Sequence, residues 1–208
     1  MIEKDTSHSG RQGEPPLNEG PTASTLDTLA FGDEGPRVML RNTNEDEIPR
    51  LIQLLRETEG HEGGIIWSPI APEQSLREYQ SRGGRFMVAD IGDTVPVAFV
   101  MIVYGLAHAE ADISALDLSE DQQGRVVRLE AAAVRPGWAQ GDLLDTMIKQ
   151  SLEGAAKQGY TLAMADIAAD NRTAIKRLKR LGLTSLRATK DETKGNRQIL
   201  YRDSKAMI

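Results

Sequence analysis

Apolar residues along this chain follow two spacings, one typical of helices and one typical of strands. In the segment before Gly60, four apolar residues fall at i, i+3, i+4 and i+7, which places them on one face of a helix. They are Ile48, Leu51, Ile52 and Leu55. Short runs rich in Val, Ile, Met and Ala, bounded by Gly, Pro or charged residues, predict strands.

The complete pattern predicts the element order β-α-α-β-β-β-α-β-α-β-β. The predicted strands are 37–42, 85–91, 95–104, 125–134, 161–167, 184–188 and 198–201. The predicted helices lie before Gly60 and at 72–82, 142–157 and 170–181, the last two ending at Gly159 and Gly182. A mixed sheet covered by helices accounts for this order, so the predicted fold class is α/β (α+β), with about seven strands and about four helices.

The N-terminal segment differs in composition from the rest of the chain. Residues 1–35 are rich in Gly, Ser, Thr, Pro and charged residues, which predicts a disordered arm. Its apolar residues Leu26, Leu29 and Phe31 are where we expect contact with another copy or an assembly partner. Residues 36–204 are predicted to form one domain, followed by a flexible C-terminus at 205–208. The long acidic connection at 105–124 predicts a functional or contact loop.

Composition and charge exclude several classes of protein. The 208 residues are 39% hydrophobic and 27% charged, as in a single globular domain. A net charge of −6 disfavours nucleic-acid binding, and the absence of cysteine excludes disulfides and thiolate chemistry. His8, His61 and His108 lack ligand spacing, so no metal site is predicted. No signal peptide or apolar run of about 20 residues is present, so we expect a soluble cytoplasmic protein with no membrane partner.

Two local patterns carry the candidate chemistry. The strand at 125–134 ends in the run LEAAAVRP, and a helix begins after a short turn that contains glycine. Asn171 and Ala174 open a second helix, which reaches Gly182 and Leu183 after a fixed interval. A hydrophobic hairpin with a Gly-Asp turn precedes both patterns. Together these features resemble the GCN5-related N-acetyltransferase (GNAT) superfamily over about residues 37–203, with a degenerate cofactor motif.

The second pattern is the more specific. The family pattern N-x-x-A-x-x-x-Y-x-x-x-G-F is matched at Asn171, Ala174 and Gly182, whereas Leu178 and Leu183 replace the aromatic residues. The resemblance implies a mostly antiparallel sheet and acetyl-CoA as co-substrate, with Asn171 and Leu178 among the cofactor-binding positions. A capped amphipathic helix that ends at a glycine is the alternative interpretation.

The first pattern corresponds to the strand that holds the pantetheine arm of CoA in this superfamily. That strand splays from its neighbour, and its unpaired backbone groups bond the cofactor. The resemblance assigns this role to Ala132, Ala133 and Val134, and small side chains leave room for a thin thioester arm. The alternative is simple packing of small residues beneath a helix.

The turn after this strand departs from the family's phosphate-binding pattern, Q/R-x-x-G-x-G/A. The matching positions are Ala139, Gln140, Gly141, Asp142, Leu143 and Leu144. Helix N-termini bind phosphates through free N–H groups, and a carboxylate at Asp142 would repel them. We therefore interpret Asp142 as a helix cap and expect weakened CoA binding. Trp138, beside this turn, is a packing residue or a cover for the cofactor.

Acetyl transfer to an amine requires a base for the amine and an acid for the leaving thiolate. Glu130 is the candidate base, because it alternates with Ala132 and Val134 and because acids at this place serve that role in several family members. A partner for Arg128 or Arg125 is the alternative role for Glu130. The family's usual acid is a tyrosine at the place of Leu178, so water would have to replace it.

The resemblance therefore implies an acetyl-CoA-dependent N-acetyltransferase in which an amine acceptor attacks directly. No nucleophile for a covalent intermediate is evident in the sequence. Two alternatives stay open. One is a catalytically degenerate GNAT fold that serves as a structural or binding component of an assembly, and the other is a regulator that senses acyl-CoA without turnover.

Overall fold

A computed structural model describes residues 25–30, 37–43, 45–58, 72–81, 83–91, 95–105, 118–138, 142–191 and 195–203. These residues form one eight-stranded sheet with helices on both faces. The strands are β1 (Thr25–Ala30), β2 (Arg37–Asn42), β3 (Arg85–Ile91), β4 (Val95–Tyr104), β5 (Val126–Val134), β6 (Leu162–Ala168), β7 (Thr184–Asp191) and β8 (Gly195–Asp203). The helices are α1 (Ile48–Thr58), α2 (Pro72–Ser81), α3 (Glu120–Gly124), α4 (Leu143–Lys157) and α5 (Arg172–Arg180). None of the helices in these ranges is long and apolar enough to cross a lipid bilayer.

The strand order in the sheet is β1-β2-β3-β4-β5-β6-β8-β7. Every neighbouring pair is antiparallel except β5 and β6, which run parallel and are joined through α4. A parallel pair needs such a crossover connection, whereas antiparallel pairs need only a turn. The predicted mixed, mostly antiparallel sheet with flanking helices is confirmed.

The strand count exceeds the predicted seven because β1 lies inside the predicted N-terminal arm. Thr25–Ala30 pair with β2 in an antiparallel register, so the prediction of disorder is wrong for this segment. The rest of residues 1–35 lies outside the described residues, as do the predicted turn at 92–93, residues 106–117 of the predicted acidic loop, and the C-terminal residues 205–208. Within that predicted loop, Glu120–Gly124 form the short helix α3.

The two larger hydrophobic cores of the described residues lie on opposite faces of the sheet, and a third, smaller cluster contains Val126, Met164 and Ile199. On one face, α1 and α2 cover β3, β4 and the end of β5, with Phe86 and Phe99 in tilted ring contact at 6.2 Å. On the other face, α4 and α5 pack on the same strands and on β6 and β8. The predicted apolar face of α1 is confirmed, since its four residues are all buried. The buried face of α4 consists of Leu143, Leu144, Met147, Ile148, Leu152 and Ala155.

Both long helices on this second face end in the same way. Gly159 and Gly182 have positive φ angles of 91°, which glycine adopts without a steric penalty. After α5, the N–H of Leu183 donates to the carbonyl of Leu178 at 3.0 Å, and the N–H of Gly182 donates to Lys179 at 3.0 Å. This pair of hydrogen bonds satisfies carbonyl groups in the last turn of the helix. The predicted glycine ends of both helices are confirmed.

A buried carboxylate joins the start of α4 to α5. Asp145 lies in the first turn of α4, and its side chain is only 8% exposed. Its Oδ1 lies 3.4 Å from Nη1 of Arg177, and its Oδ2 accepts a hydrogen bond from Arg180. The negative charge of Asp145 is also stabilised by the positive, N-terminal end of the α4 dipole. This contact therefore fixes the position of the α4 N-terminus relative to α5.

We expect Asp145→Asn to lower the free energy of unfolding by about 2–4 kcal/mol, because the largely buried guanidinium of Arg177 loses its carboxylate and the exposed Arg180 loses a charged acceptor. Chemical denaturation of the purified variant measures this loss. Asp142→Asn is the matched control three residues earlier. Asp142 is exposed, so its substitution should stay within about 0.5 kcal/mol of the parent. Equal stabilities for the two variants would contradict the role given to Asp145.

Candidate active site

Strand β5 is paired differently on its two sides. On one side it pairs with β4 from Val127 to Val134. On the other side it pairs with β6 at only four positions, from Val126 to Leu129. Strand β6 continues to Ala168, but its later residues pair only with β8 in the described sheet. From Glu130 onward, β5 and β6 therefore diverge, and the sheet opens between them.

The predicted pantetheine residues lie along this opening. Ala132 and Val134 pack in the core on the α4 face, whereas Ala133 packs on the α1 face. Leu143 and Leu144, at the start of α4, belong to the same core as Ala132 and Val134. The fold thus brings the end of β5 and the start of α4 together, as the predicted cofactor site requires. Their contact with a cofactor stays a prediction.

Glu130 occupies a β-bulge. Ala131 pairs with Met101 and Leu129 pairs with the adjacent Ile102, so Glu130 is an extra residue on β5. The extra residue changes the phase of the strand: Leu129 belongs to the α4-side core and Ala131 to the α1-side core. The predicted alternation of Glu130 with Ala132 and Val134 on one face is therefore wrong.

The Glu130 carboxylate forms a buried ion pair. Its Oε1 lies 2.9 Å from Nη1 of Arg128, and the two side chains are 9% and 8% exposed. This pair was the alternative role for Glu130 in the sequence, and the structure shows it buried rather than solvated. Within the described ranges, Nε and Nη2 of Arg128 have no hydrogen-bond partner. The guanidinium therefore depends strongly on Glu130, since an unpaired buried charge is costly.

Asp166 is a second acid at the opening and was missed in the sequence. Leu129 and Ala165 form the last pair between β5 and β6, so Glu130 and Asp166 are the next residues on the two diverging strands. Asp166 is half-buried. The signal for it was present, because it is the one charged residue in the apolar run LAMADIA.

The chain after β5 is anchored before it reaches the phosphate turn. The N–H of Arg135 donates to the carbonyl of Val97 at 2.7 Å, and its guanidinium lies 2.9 Å from the carboxylate of Glu57 in α1. The N–H of Trp138 then donates to the Arg135 carbonyl at 2.8 Å. Trp138 packs partly buried against the α4-side core. The predicted turn residues Ala139, Gln140 and Gly141 lie outside the described residues.

Asp142 stands at the N-cap position of α4, as predicted, but its side chain makes no capping hydrogen bond. The carboxylate is exposed, and the N–H of Thr146 donates to the Asp142 backbone carbonyl at 2.8 Å. The free N–H groups of the first turn of a helix attract anions, so the α4 N-terminus keeps this property. Its electrostatic field is nevertheless reduced by the negative charge of Asp142.

Asn171 and Leu178 have structural roles in α5. The side chain of Asn171 caps the helix by accepting a hydrogen bond from the N–H of Ala174 at 3.1 Å. Leu178 is fully buried in the α4-side core, where its carbonyl also closes the helix end. The capped helix with a terminal glycine was the alternative interpretation of this motif. Leu178 offers no proton donor at the position where the family has tyrosine.

Comparison with known proteins identifies the fold. The sequence matches no model of a protein family, and no curated protein matches it significantly. The GNAT domain of S. lividans PAT superposes with a TM-score of 0.62 at 15% identity, covering 87% of this chain and 96% of that domain. Arabidopsis thaliana NAA60, solved in complex with acetyl-CoA, gives 0.61 at 14% identity, with 80% and 98% covered. The ribosomal-protein-S18-alanine N-acetyltransferase from Escherichia coli gives 0.59 at 12%, with 80% and 93% covered.

These similarities span nearly the full length of each solved chain. Together with the sheet order and the opening between β5 and β6, they show that this chain has the GNAT fold. The predicted superfamily resemblance is confirmed at the level of the fold.

The buried pair Arg128–Glu130 generates a stability prediction. We expect Glu130→Leu to lower the free energy of unfolding by about 3–5 kcal/mol, because it leaves a buried guanidinium without its carboxylate. Arg128→Met should cost a similar amount. The double variant should recover most of the loss, since two apolar side chains replace both charges. Denaturant unfolding of the four proteins gives the coupling energy, and additive single losses would contradict a coupled pair.

Proposed function

We propose that this protein is an N-acetyltransferase that transfers an acetyl group from acetyl-CoA to an amine by direct attack. The observation that supports this most is the opening of the sheet beyond the four β5–β6 pairs, with an acidic side chain at its first residue. The other strands of the sheet are paired along most of their length, so the divergence is a local and specific feature.

The residues along the opening suit an extended thioester arm. Beyond Leu129, the β6-facing edge of β5 has no strand partner in the described structure, and unpaired backbone groups need partners. Ala132 and Ala133 contribute only methyl groups there. The α4 N-terminus follows the end of β5 and would hold the phosphates of CoA. The negative charge of Asp142 would weaken this binding. When bound, acetyl-CoA supplies an acetyl group activated toward amines.

Glu130 is the proposed general base. A base must lie within hydrogen-bond reach of the proton that it takes, directly or through one water. Glu130 begins the open part of β5, and its ion pair with Arg128 fixes the carboxylate in position. In the proposed reaction, Glu130 accepts the proton of the acceptor amine, and water protonates the leaving thiolate because Leu178 has no proton to give.

A second candidate is a GNAT fold without catalysis, which serves as a binding or structural component of an assembly. Three observations favour it. Asn171 is used as a helix cap, Leu178 is fully buried, and the Glu130 carboxylate is held by Arg128. Each has a complete structural explanation that needs no cofactor.

We expect Glu130→Gln to lower turnover by about 10²–10⁴-fold, the usual share of general base catalysis, while leaving acetyl-CoA affinity nearly unchanged. Glutamine keeps an oxygen that accepts from Arg128, so it disturbs the fold less than leucine does. Steady-state acetylation of an amine panel measures turnover, and calorimetric titration with acetyl-CoA and CoA measures affinity.

The double variant Arg128→Met with Glu130→Gln separates folding from chemistry. This variant should unfold cooperatively, because it has no unpaired buried charge. If Glu130 is the base, the variant should nevertheless be inactive. Turnover equal to that of the parent in either variant would overturn the assignment of Glu130. Failure of the parent protein to bind acetyl-CoA at millimolar concentration would overturn the enzyme proposal and favour the non-catalytic candidate.

We expect Asp142→Gly to tighten CoA binding by about fivefold or more, since charges at helix ends contribute up to about 1–2 kcal/mol. Because the Asp142 side chain makes no capping bond, the stability loss should be only a few tenths of a kcal/mol. Calorimetry at low salt and at about 1 M salt measures both the gain and its screening.

Asp142→Asn is the control for this prediction. It removes the charge but keeps the size of the side chain, so it should reproduce most of the gain if the effect is electrostatic. An unchanged CoA affinity in both variants would show that the phosphates bind away from the α4 N-terminus.

A further inference from the structure

A cavity lies away from the opening between β5 and β6. It has a volume of about 310 Å³ and lies between the C-terminal half of α4 and the β3–β4 hairpin. Tyr104, in its wall, pairs with Val127 at the start of β5, whereas the opening lies at the end of β5. Along α4, the wall residue Gly154 is 11 residues beyond Leu143, or about 16 Å along the helix axis.

The cavity also lies on the opposite face of the sheet from the Arg128–Glu130 pair. Its wall residues Met87 and Ile102 belong to the α4-side core, as does Leu129. Arg128 neighbours Leu129 on β5, so its side chain lies on the other face. The cavity is therefore separate from the candidate active site.

Charged groups of both signs border this cavity. Arg85 and Lys157 contribute positive charges, and Glu153 contributes a negative charge. None of the three forms an ion pair with another residue in the described part of the chain. Glu153 and Lys157 stand four residues apart on α4, a spacing at which such a pair commonly forms. The three groups are thus available to a ligand that carries both charges.

Two residues of α4 indicate room for a ligand. Gly154 lies inside the helix, where glycine costs about 0.5–1 kcal/mol relative to alanine. A Cβ atom built at Gly154 would meet nothing within 4 Å, so no close packing requires glycine there. Ser151 is buried, and the hydrogen bond described for its hydroxyl goes to the sulfur of Met87, a weak acceptor, at 3.8 Å. The hydroxyl can therefore bond a ligand.

The aromatic ring of Tyr104 forms part of the wall of the cavity. The rings of Tyr104 and Tyr160 stack at 4.4 Å, and the Arg85 guanidinium lies 5.7 Å from the centre of the Tyr104 ring. Burial raises the pKa of the Tyr104 phenol above its ordinary value, and the Arg85 charge and a hydrogen bond from Gln158 oppose this shift only in part. The phenol is therefore neutral at physiological pH and leaves the Arg85 charge to a ligand.

We propose that this cavity binds a free α-amino acid. Its carboxylate would lie toward Arg85 and Lys157, its ammonium group toward Glu153, and its side chain against Met87 and Ile102. A cavity of about 310 Å³ lies at the lower end of the range of roughly 300–1,000 Å³ that small-molecule sites have, which suits a molecule of this size. This site is independent of acetyl transfer at the β5–β6 opening.

Calorimetric titration of the full chain with each of the common amino acids tests the proposal. We expect at least one to bind, and we expect Gly154→Leu to abolish its binding by filling the cavity. Arg85→Met and Glu153→Gln should each weaken binding at least tenfold, because each removes one of the complementary charges. Acetate alone and methylamine alone should bind at least tenfold more weakly than the amino acid.

Lys149→Met is the matched control, since Lys149 is exposed on the same helix and does not line this cavity. It should bind the amino acid as the parent does. A thermal melt of Gly154→Leu checks that the variant folds, and Gly154→Ala, which adds one methyl group, provides a second and milder block. The proposal is overturned if no amino acid binds, if binding survives Gly154→Leu, or if acetate binds as tightly as the amino acid.

Discussion

Strand β5 pairs with β4 from Val127 to its end at Val134 but with β6 at only four positions, and the other features of the candidate site depend on this difference. The β4 ladder keeps β5 in the sheet where β6 leaves it. The crossover through α4 then brings a helix N-terminus to the open end, and Asp145 fixes that end against α5. The opening leaves backbone groups on one edge of β5 for a ligand to satisfy.

The interior of the fold was predictable from the sequence because its elements have clear periods and clear ends. The apolar spacing of α1, the runs of β3 and β4, and the glycines after α4 and α5 all appear at the predicted places. The misjudged strands lie at or next to the sheet edges, and the helix α3 lies in a segment predicted as a loop. β1 and β7 are the two edge strands, and edge strands carry polar residues that hide the period-2 pattern. The polar run over Lys190–Asp191 therefore gave no sign that the β7–β8 hairpin extends so far.

The candidate site was less predictable, since it depends on contacts and on phase rather than on residue type. The sequence pointed to Glu130, but a bulge cannot be recognised from alternation alone, so its face was wrong. The sequence offered Arg128 as a possible ion-pair partner of Glu130, but only the structure shows that both charges are buried together. Similarly, Asp142 has the right residue type for a cap, but its side chain does not form the bond. A capped helix was the alternative interpretation of the second motif, and the structure shows that Asn171 is the cap.

The bulge has a consequence for how this protein can change during evolution. Glu130 is the bulged residue of β5, and its carboxylate pairs with Arg128. The backbone and the side chain of this residue therefore have separate roles. A point mutation can exchange the carboxylate for another group and leave the strand intact. Deletion of Glu130 would remove the bulge and keep Leu129 and Ala131–Val134 on the faces that they now occupy, because the partners of Leu129 and Ala131 are already adjacent on β4. Among descendants of this sequence, packing on the two faces of β5 therefore does not require the extra residue, and the constraint on Glu130 is the buried charge of Arg128, which must be lost or paired in another way.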